Sequence, residues 1–204
     1  RMNRRRLEAE ALWDAVHTAS GRINLDMGGR PVVPVLEADE MAALREKWHW
    51  TVSANKRQHT RRGLYILVRR NFRFPMFEVF DAPVTSVSCP SRDVTTVAPQ
   101  ALWTLNNKSV FQQAMYLVDR VIKEVGQDTE AQIVRAWKIV LGRVPSQEEK
   151  RSAKGLVNTL EQQGSEPTLE HTAMPIEGVS PARVQALSKL CLTLFNLSEF
   201  AFVD

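Results

Sequence analysis

Long hydrophobic runs are missing from this sequence. No apolar stretch approaches the roughly 20 residues that a membrane-spanning helix needs, which excludes a helical bilayer span in these 204 residues. The opening RMNRRRLEAEALWDAV turns amphipathic instead of entering a signal-peptide core, and it begins at Arg. The chain therefore reads as a fragment of something larger whose targeting segment would lie upstream. Cysteine is scarce. Cys89 and Cys191 are too far apart for a CxxC unit, and no CxxCH is present, which excludes c-type haem attachment in this segment. The four histidines, His17, His49, His59 and His171, show neither HExxH nor any other ligand spacing. No GxSxG supplies a nucleophile elbow, and GRINLDMGGRPVVP, although loop text, lacks the GxxxxGK[ST] spacing of a phosphate loop.

Acidic residues are also absent between Glu46 and Glu78, while Lys47, Lys56, Arg57, Arg61, Arg62, Arg69, Arg70 and Arg73 all fall there. Such a run suits an acidic ligand or partner, or arginines that pair with carboxylates elsewhere in the fold. Trp48 and Trp50 beside it are thin support for a base-stacking platform, and no RNP, zinc-finger or helix-turn-helix pattern accompanies them. Specific nucleic-acid binding is not expected. The remaining composition, 44% hydrophobic and 25% charged with a net charge of +4, is that of an ordinary folded domain able to bury a core without staples.

Helical periodicity covers most of the chain. It predicts a helix from about Asn3 to Ala19 on Ala9, Leu12, Trp13 and Val16, with His17 just off that stripe as a surface or capping group, then a short one over Glu37 to Lys47. Pro99 opens another helix, with Thr95 or Thr96 to cap it and Ala101, Leu102 and Leu105 on its buried side. Three stripes follow: Phe111 to Val125, Ile133 to Leu141, and Ala153, Leu156, Val157 and Leu160 behind a Ser146/Glu149 capping box. After a polar loop, Ser180 and Pro181 start the last helix, through Val184, Leu187, Cys191 and Leu194. The expected fold is mainly α, a single orthogonal or antiparallel helical array over 1–204 with a long irregular central segment. It has at most a small β element, at Leu64 to Arg70.

The segment Arg61 to Asn107 is the least helix-like. Pro75 breaks any continuous helix there, and Phe72, Phe74, Phe77 and Phe80 cluster before Asp81. The only carboxylate candidates for hydrolytic chemistry in this region are Glu78, Asp81 and Asp93. Cys191 reads as a core thiol. Cys89 reads as a second free thiol partly covered by the aromatic cluster, or as a reactive thiolate favoured by Arg92.

RRLEAEALWDAV with SGRIN, RRGLY at Arg61 to Tyr65, FDAP at Phe80 to Pro83 followed by Cys89, Arg92 and PQALWTLN, LGRVP at Leu141 to Pro145, and the terminal LTLFNLSEFAFVD form a combination. By it, the chain resembles the C-terminal domain of unknown function of planctomycete-type, cytochrome-c-associated secreted proteins. The resemblance implies that the chain is the C-terminal part of a larger multidomain protein in an extracytoplasmic setting, periplasmic or secreted, with haem on an upstream domain and no cofactor in this segment. It singles out Arg61, Arg62, Asp81, Cys89, Arg92, Gln100 and Asn106 as motif residues. The chain departs from the pattern at Val97 and Ala98, where relatives carry Ser or Thr before the helix. The expected role is a structural and interaction module meeting upstream domains or a partner protein. The alternative is part of a catalytic or polysaccharide-binding site shared with upstream domains. A concave polar pocket within Arg61 to Asn107 favours the alternative, and a segment packed shut favours the module.

Overall fold

Ala9, Leu12, Trp13 and Val16 recur at helical spacing and form the buried face of α1 (Ala9–Ala19) in the computed structural model, which describes residues 4–42, 50–70, 72–84, 88–92, 94–163 and 176–203. Lys47, Trp48, His49, Asp93 and His171, and the end of the helix expected to reach Lys47, lie outside the described residues. The helix begins only at Ala9. Arg5–Arg6 instead form β1, paired antiparallel with β2 (Phe202–Val203), Arg6 opposite Phe202. Local periodicity cannot register a backbone partner supplied by the other end of the chain.

After α1 come α2 (Ala38–Ala42), 3-10 turns at Lys56–Thr60 and Gly63–Tyr65, α3 (Pro75–Val79) and α4 (Ala98–Asn106). The helical array then runs through α5 (Lys108–Val125), α6 (Thr129–Leu141), α7 (Gln147–Gln162), α8 (Pro181–Phe195) and α9 (Ser198–Ala201). The architecture is mainly α. Asn107, Asp128, Ser146 and Ser180 cap α5 to α8 with side-chain oxygens, and Ser146 with Glu149 closes the expected capping box. α8 packs against α5, α6 and α7, which is why nearly every turn of it is buried.

Four local expectations fail, each for a physical reason. Leu64 to Arg70 is not a strand and makes isolated bridges among the described residues: Val32 pairs with Ile66, donating to the Tyr65 carbonyl and accepting from Leu67, both at 2.8 Å, and Arg69 pairs with Phe72. Pro75, as expected, lets no helix run across it, and it opens α3 from the first turn, where a missing N–H is harmless. α4 buries Gln100 and Thr104 and leaves Leu102 56% and Leu105 41% exposed, because its buried side carries hydrogen bonds instead of apolar contacts. Leu156 also sits on the rim of its helix and not inside. His17 is the fourth. It is buried, with Nδ1 bonded to the Trp13 carbonyl at 2.9 Å and its ring 4.0 Å from the Trp13 ring, and burial pushes its pKa down from 6.5 to about 4.

The aromatic cluster does form. Phe74 meets Phe77 edge-on at 5.3 Å and Trp13 at 5.4 Å, and stacks near Trp50, whose indole N–H donates to the Pro34 carbonyl. Trp50 is thus a core anchor. Cys89 gains no cover from this cluster; it is exposed, on the irregular segment before α4, and donates to the Ser91 carbonyl.

Candidate functional site

The motif residues arrange themselves around α1. Arg61 is buried, its guanidinium donating to the carbonyls of Asp26 and Gly28 and lying 3.7 Å over the Tyr65 ring, while its own carbonyl accepts from Trp13 Nε1. A guanidinium so engaged holds a loop in place and is not offered to a ligand. Arg62 pairs with Asp14 of α1 at 3.0 Å, and Gly63 N–H donates to the other Asp14 oxygen at 2.6 Å. Gly63 is required here because a Cβ would lie 2.8 Å from the Glu10 backbone. Arg61 and Gly63 are thus packed in, while Arg62 and Leu64 stay exposed and Arg61 lines a cleft of about 510 Å³ with Asp26, Arg30 and Asn55.

FDAP does different work. α3 ends in a Schellman arrangement: Ala82 N–H reaches the Phe77 carbonyl, Asp81 N–H reaches that of Glu78, and Asp81 takes the left-handed position at φ 59°. This corner turns the Asp81 carboxylate back into the fold. Its Oδ2 accepts from Arg6 Nη2 at 2.7 Å, from Thr95 N–H and Oγ1 at 2.8 Å each, and from Gln100 Nε2 at 3.5 Å. Desolvation pushes the Asp81 pKa up, but the bonds from Thr95 and the Arg6 charge together outweigh it, and the carboxyl is held below the usual range. Gln100 also donates to the Val79 carbonyl and accepts from Val97 N–H. Thr95 therefore serves Asp81 and caps nothing; the N-cap position belongs to Val97, which has no side-chain acceptor.

Arg6 completes this network and carried no sequence signal, since it sits in a basic run that reads as solvated. It is 5% exposed, donates to Asp81 and to the Phe80 carbonyl, and has no partner among the described residues for Nε and Nη1. Arg92 binds the start of α1, through Nη1 to Glu10 at 2.8 Å and Glu8 at 3.3 Å. Between these groups lies a cavity of about 270 Å³, with Arg6, Asp81, Ser91 and Arg92 among its walls. The Asp81 to Arg92 end of the central segment is thus concave and polar. Asn106 belongs elsewhere, exposed at the end of α4 on a separate cleft with Glu37 and Glu78. Cys89 does not line the cavity.

Fold and site together define a mainly helical domain with an arginine-lined polar cavity at the start of its first helix. The chain belongs to the PSD1 family, described as a protein of unknown function (DUF1553), whose model matches residues 1–157. LTLFNLSEFAFVD, part of the resemblance, falls beyond the matched residues. No curated protein and no solved structure matches the chain.

Proposed function

We propose that this chain is a structural and interaction module of an extracytoplasmic, redox-linked multidomain protein, and that it docks through the outer face of α4. One observation carries the docking role. Val97, Ala101, Leu102 and Leu105 share one side of the helix, all are exposed, and no charged residue occurs from Val94 to Asn107. An uncharged apolar helix face left in water is a common mark of a surface that another protein surface covers. The partner is an upstream domain of the same polypeptide or a separate protein, and the haem belongs to that upstream region. The secreted, cytochrome-linked setting rests on the resemblance alone. Among the described residues no helix is long and apolar enough to cross a membrane.

Hydrogen exchange, read on this chain alone and on a longer polypeptide containing it, tests the docking role. Slower exchange in α4 within the longer polypeptide, abolished by Leu102→Glu with Leu105→Glu, is expected. Equal exchange in both settings sinks it. A second reading, a ligand-binding half-site shared with upstream domains, is favoured by the cavity between Arg6, Asp81 and Arg92.

A further inference from the structure

We infer that the cavity between α1, α4 and α5, with the acidic cleft at its mouth, binds a small amino alcohol, hydroxyl inside and ammonium outside. Its walls share no residue with the Arg6 and Asp81 cavity or with the outer face of α4.

The inside is an aromatic chamber with two free polar atoms. Trp13, Phe74 and Trp103 help to line about 30 Å³, the room of about two waters, and His17 and Gln113 share that lining. His17 Nδ1 meets a carbonyl, that of Trp13, so Nδ1 carries the proton and Nε2 is a bare acceptor. Gln113 Oε1 takes the Ser20 hydroxyl at 2.8 Å, because the His17 carbonyl, the other neighbour of that hydroxyl, already receives the Arg22 and Ile23 N–H groups. That leaves the Gln113 amide N–H groups as donors. Neither His17 Nε2 nor Gln113 Nε2 has a partner among the described residues, although His17 is 5% and Gln113 6% exposed. Nor are these atoms sealed, since the fully buried unpartnered atoms among the described residues are Arg6 Nε and Nη1 and Trp137 Nε1. Their remaining surface opens on the cavity that both residues line. One acceptor and one donor in an otherwise apolar chamber suit a single hydroxyl, which donates to His17 and accepts from Gln113.

The outside fixes the charge. Glu40, Trp103 and Asn107 line both the cavity and a cleft of about 670 Å³, so they form the mouth between the two. Glu37, Asp39 and Glu78 line the cleft as well; Arg73 takes Glu78, and Lys108 is a cation on that wall. Glu40 is half-buried and has no ion pair among the described residues. Burial first, and then the charges of Glu37 and Asp39, raise its pKa against the bond from Glu37 N–H, as befits a carboxylate that lacks a cation. An ammonium at the mouth meets this carboxylate and the Trp103 ring together. Two carbons between hydroxyl and ammonium keep the charge at the mouth while the hydroxyl fills the chamber, which spares the cost of burying an ion.

Titration of the folded chain with ethanolamine, against ethanol and ethylamine, tests this by calorimetry and by the side-chain nitrogen resonances of His17 and Gln113. Ethanolamine should bind with a Kd of about 1 mM and move both resonances. Ethanol, without the charge, and ethylamine, without the hydroxyl, should each bind about tenfold more weakly. Glu40→Gln keeps an acceptor for the Glu37 N–H and should weaken ethanolamine about tenfold, whereas the exposed control Glu148→Gln should not. The unmutated chain decides the matter even if Glu40→Gln fails to fold. Ethylamine binding as tightly as ethanolamine overturns the hydroxyl site, and ethanol binding as tightly overturns the ammonium at Glu40. Heat without movement of the His17 and Gln113 resonances, or no binding at all, overturns the cavity as the site and leaves the docking face of α4 untouched.

Discussion

Arg6 donates to Asp81 at 2.7 Å across 75 residues of sequence, pinning the strand before α1 to the corner after α3. Asp81→Asn keeps a residue type that tolerates φ 59° and removes only the charge. The variant should lose about 1 to 3 kcal/mol, the range for a charge-assisted bond to a buried partner. The sign with pH follows from the lowered native pKa. Stability from this carboxylate is present above its ordinary value of 3.8 and is lost as pH falls through the lowered one. Urea melts of both proteins should therefore converge in strong acid; a difference that persists there would assign the effect to shape and not charge.

His17 makes a second, separable contribution to acid sensitivity. Its pKa is 6.5 in the unfolded chain and about 4 when buried, so the unfolded state takes up a proton first and stability falls from pH 6.5 down to about 4. At about 1.4 kcal/mol per unit, the loss approaches 3 kcal/mol. His17→Phe keeps a ring against Trp13 and should flatten this limb of the stability profile. A variant with the wild-type slope between those pH values would place the titration elsewhere.

The long periodic stripes of α5 to α8 were legible because each helix carries its own burial pattern and its own cap. Less could be read where partners are distant. Arg5 and Arg6 look like the solvated start of a helix until Phe202 and Val203 pair with them. α4 reads as an amphipathic helix, yet it is inverted because Gln100 serves Val79, Asp81 and Thr95. Of the motif residues, Asp81, Arg92 and Gln100 do gather near one cavity, while Arg61 is locked on loop carbonyls and Asn106 lies on another cleft. Arg6, the deepest member, was invisible because a buried arginine and a surface one have the same local sequence.

Gly63→Ala should destabilise the domain by about 1 to 3 kcal/mol, the usual cost of overpacking. The added carbon would sit 2.8 Å from backbone atoms of Glu10, which cannot move without shifting α1. Thermal unfolding measures it. An unchanged melting temperature would mean that α1 and the RRGLY turn separate freely.

Arg143, from the LGRVP motif, grips Glu149 with Nη1 and Nη2 and Glu199 with Nε and Nη2, tying the loop before α7 to α9. The Arg143 hydrogen bonds first, then that of Ser146 N–H, hold the Glu149 pKa down at about 2. Because these groups are about one third exposed, solvent screening limits their worth. Arg143→Lys, which loses the fork, should cost no more than about 1 kcal/mol, and less at high salt. Salt-independent loss would point to packing of the guanidinium plane instead.

The two cysteines should react in sequence and not together. Cys89 is exposed on an irregular segment, whereas Cys191 shares the buried face of α8 with Val184, Leu187 and Leu194, and burial pushes its thiol up to about 12. Aqueous thiol reagent at neutral pH should therefore find one thiol in the native protein and two after unfolding. Bridging them would require Cys191 to leave a core stripe and bring its Cα within roughly 7 Å of Cys89. Titration without reductant distinguishes the arrangements. Zero thiols before and after unfolding would demonstrate a disulfide, and two in the native state would show that α8 opens on the timescale of the reaction.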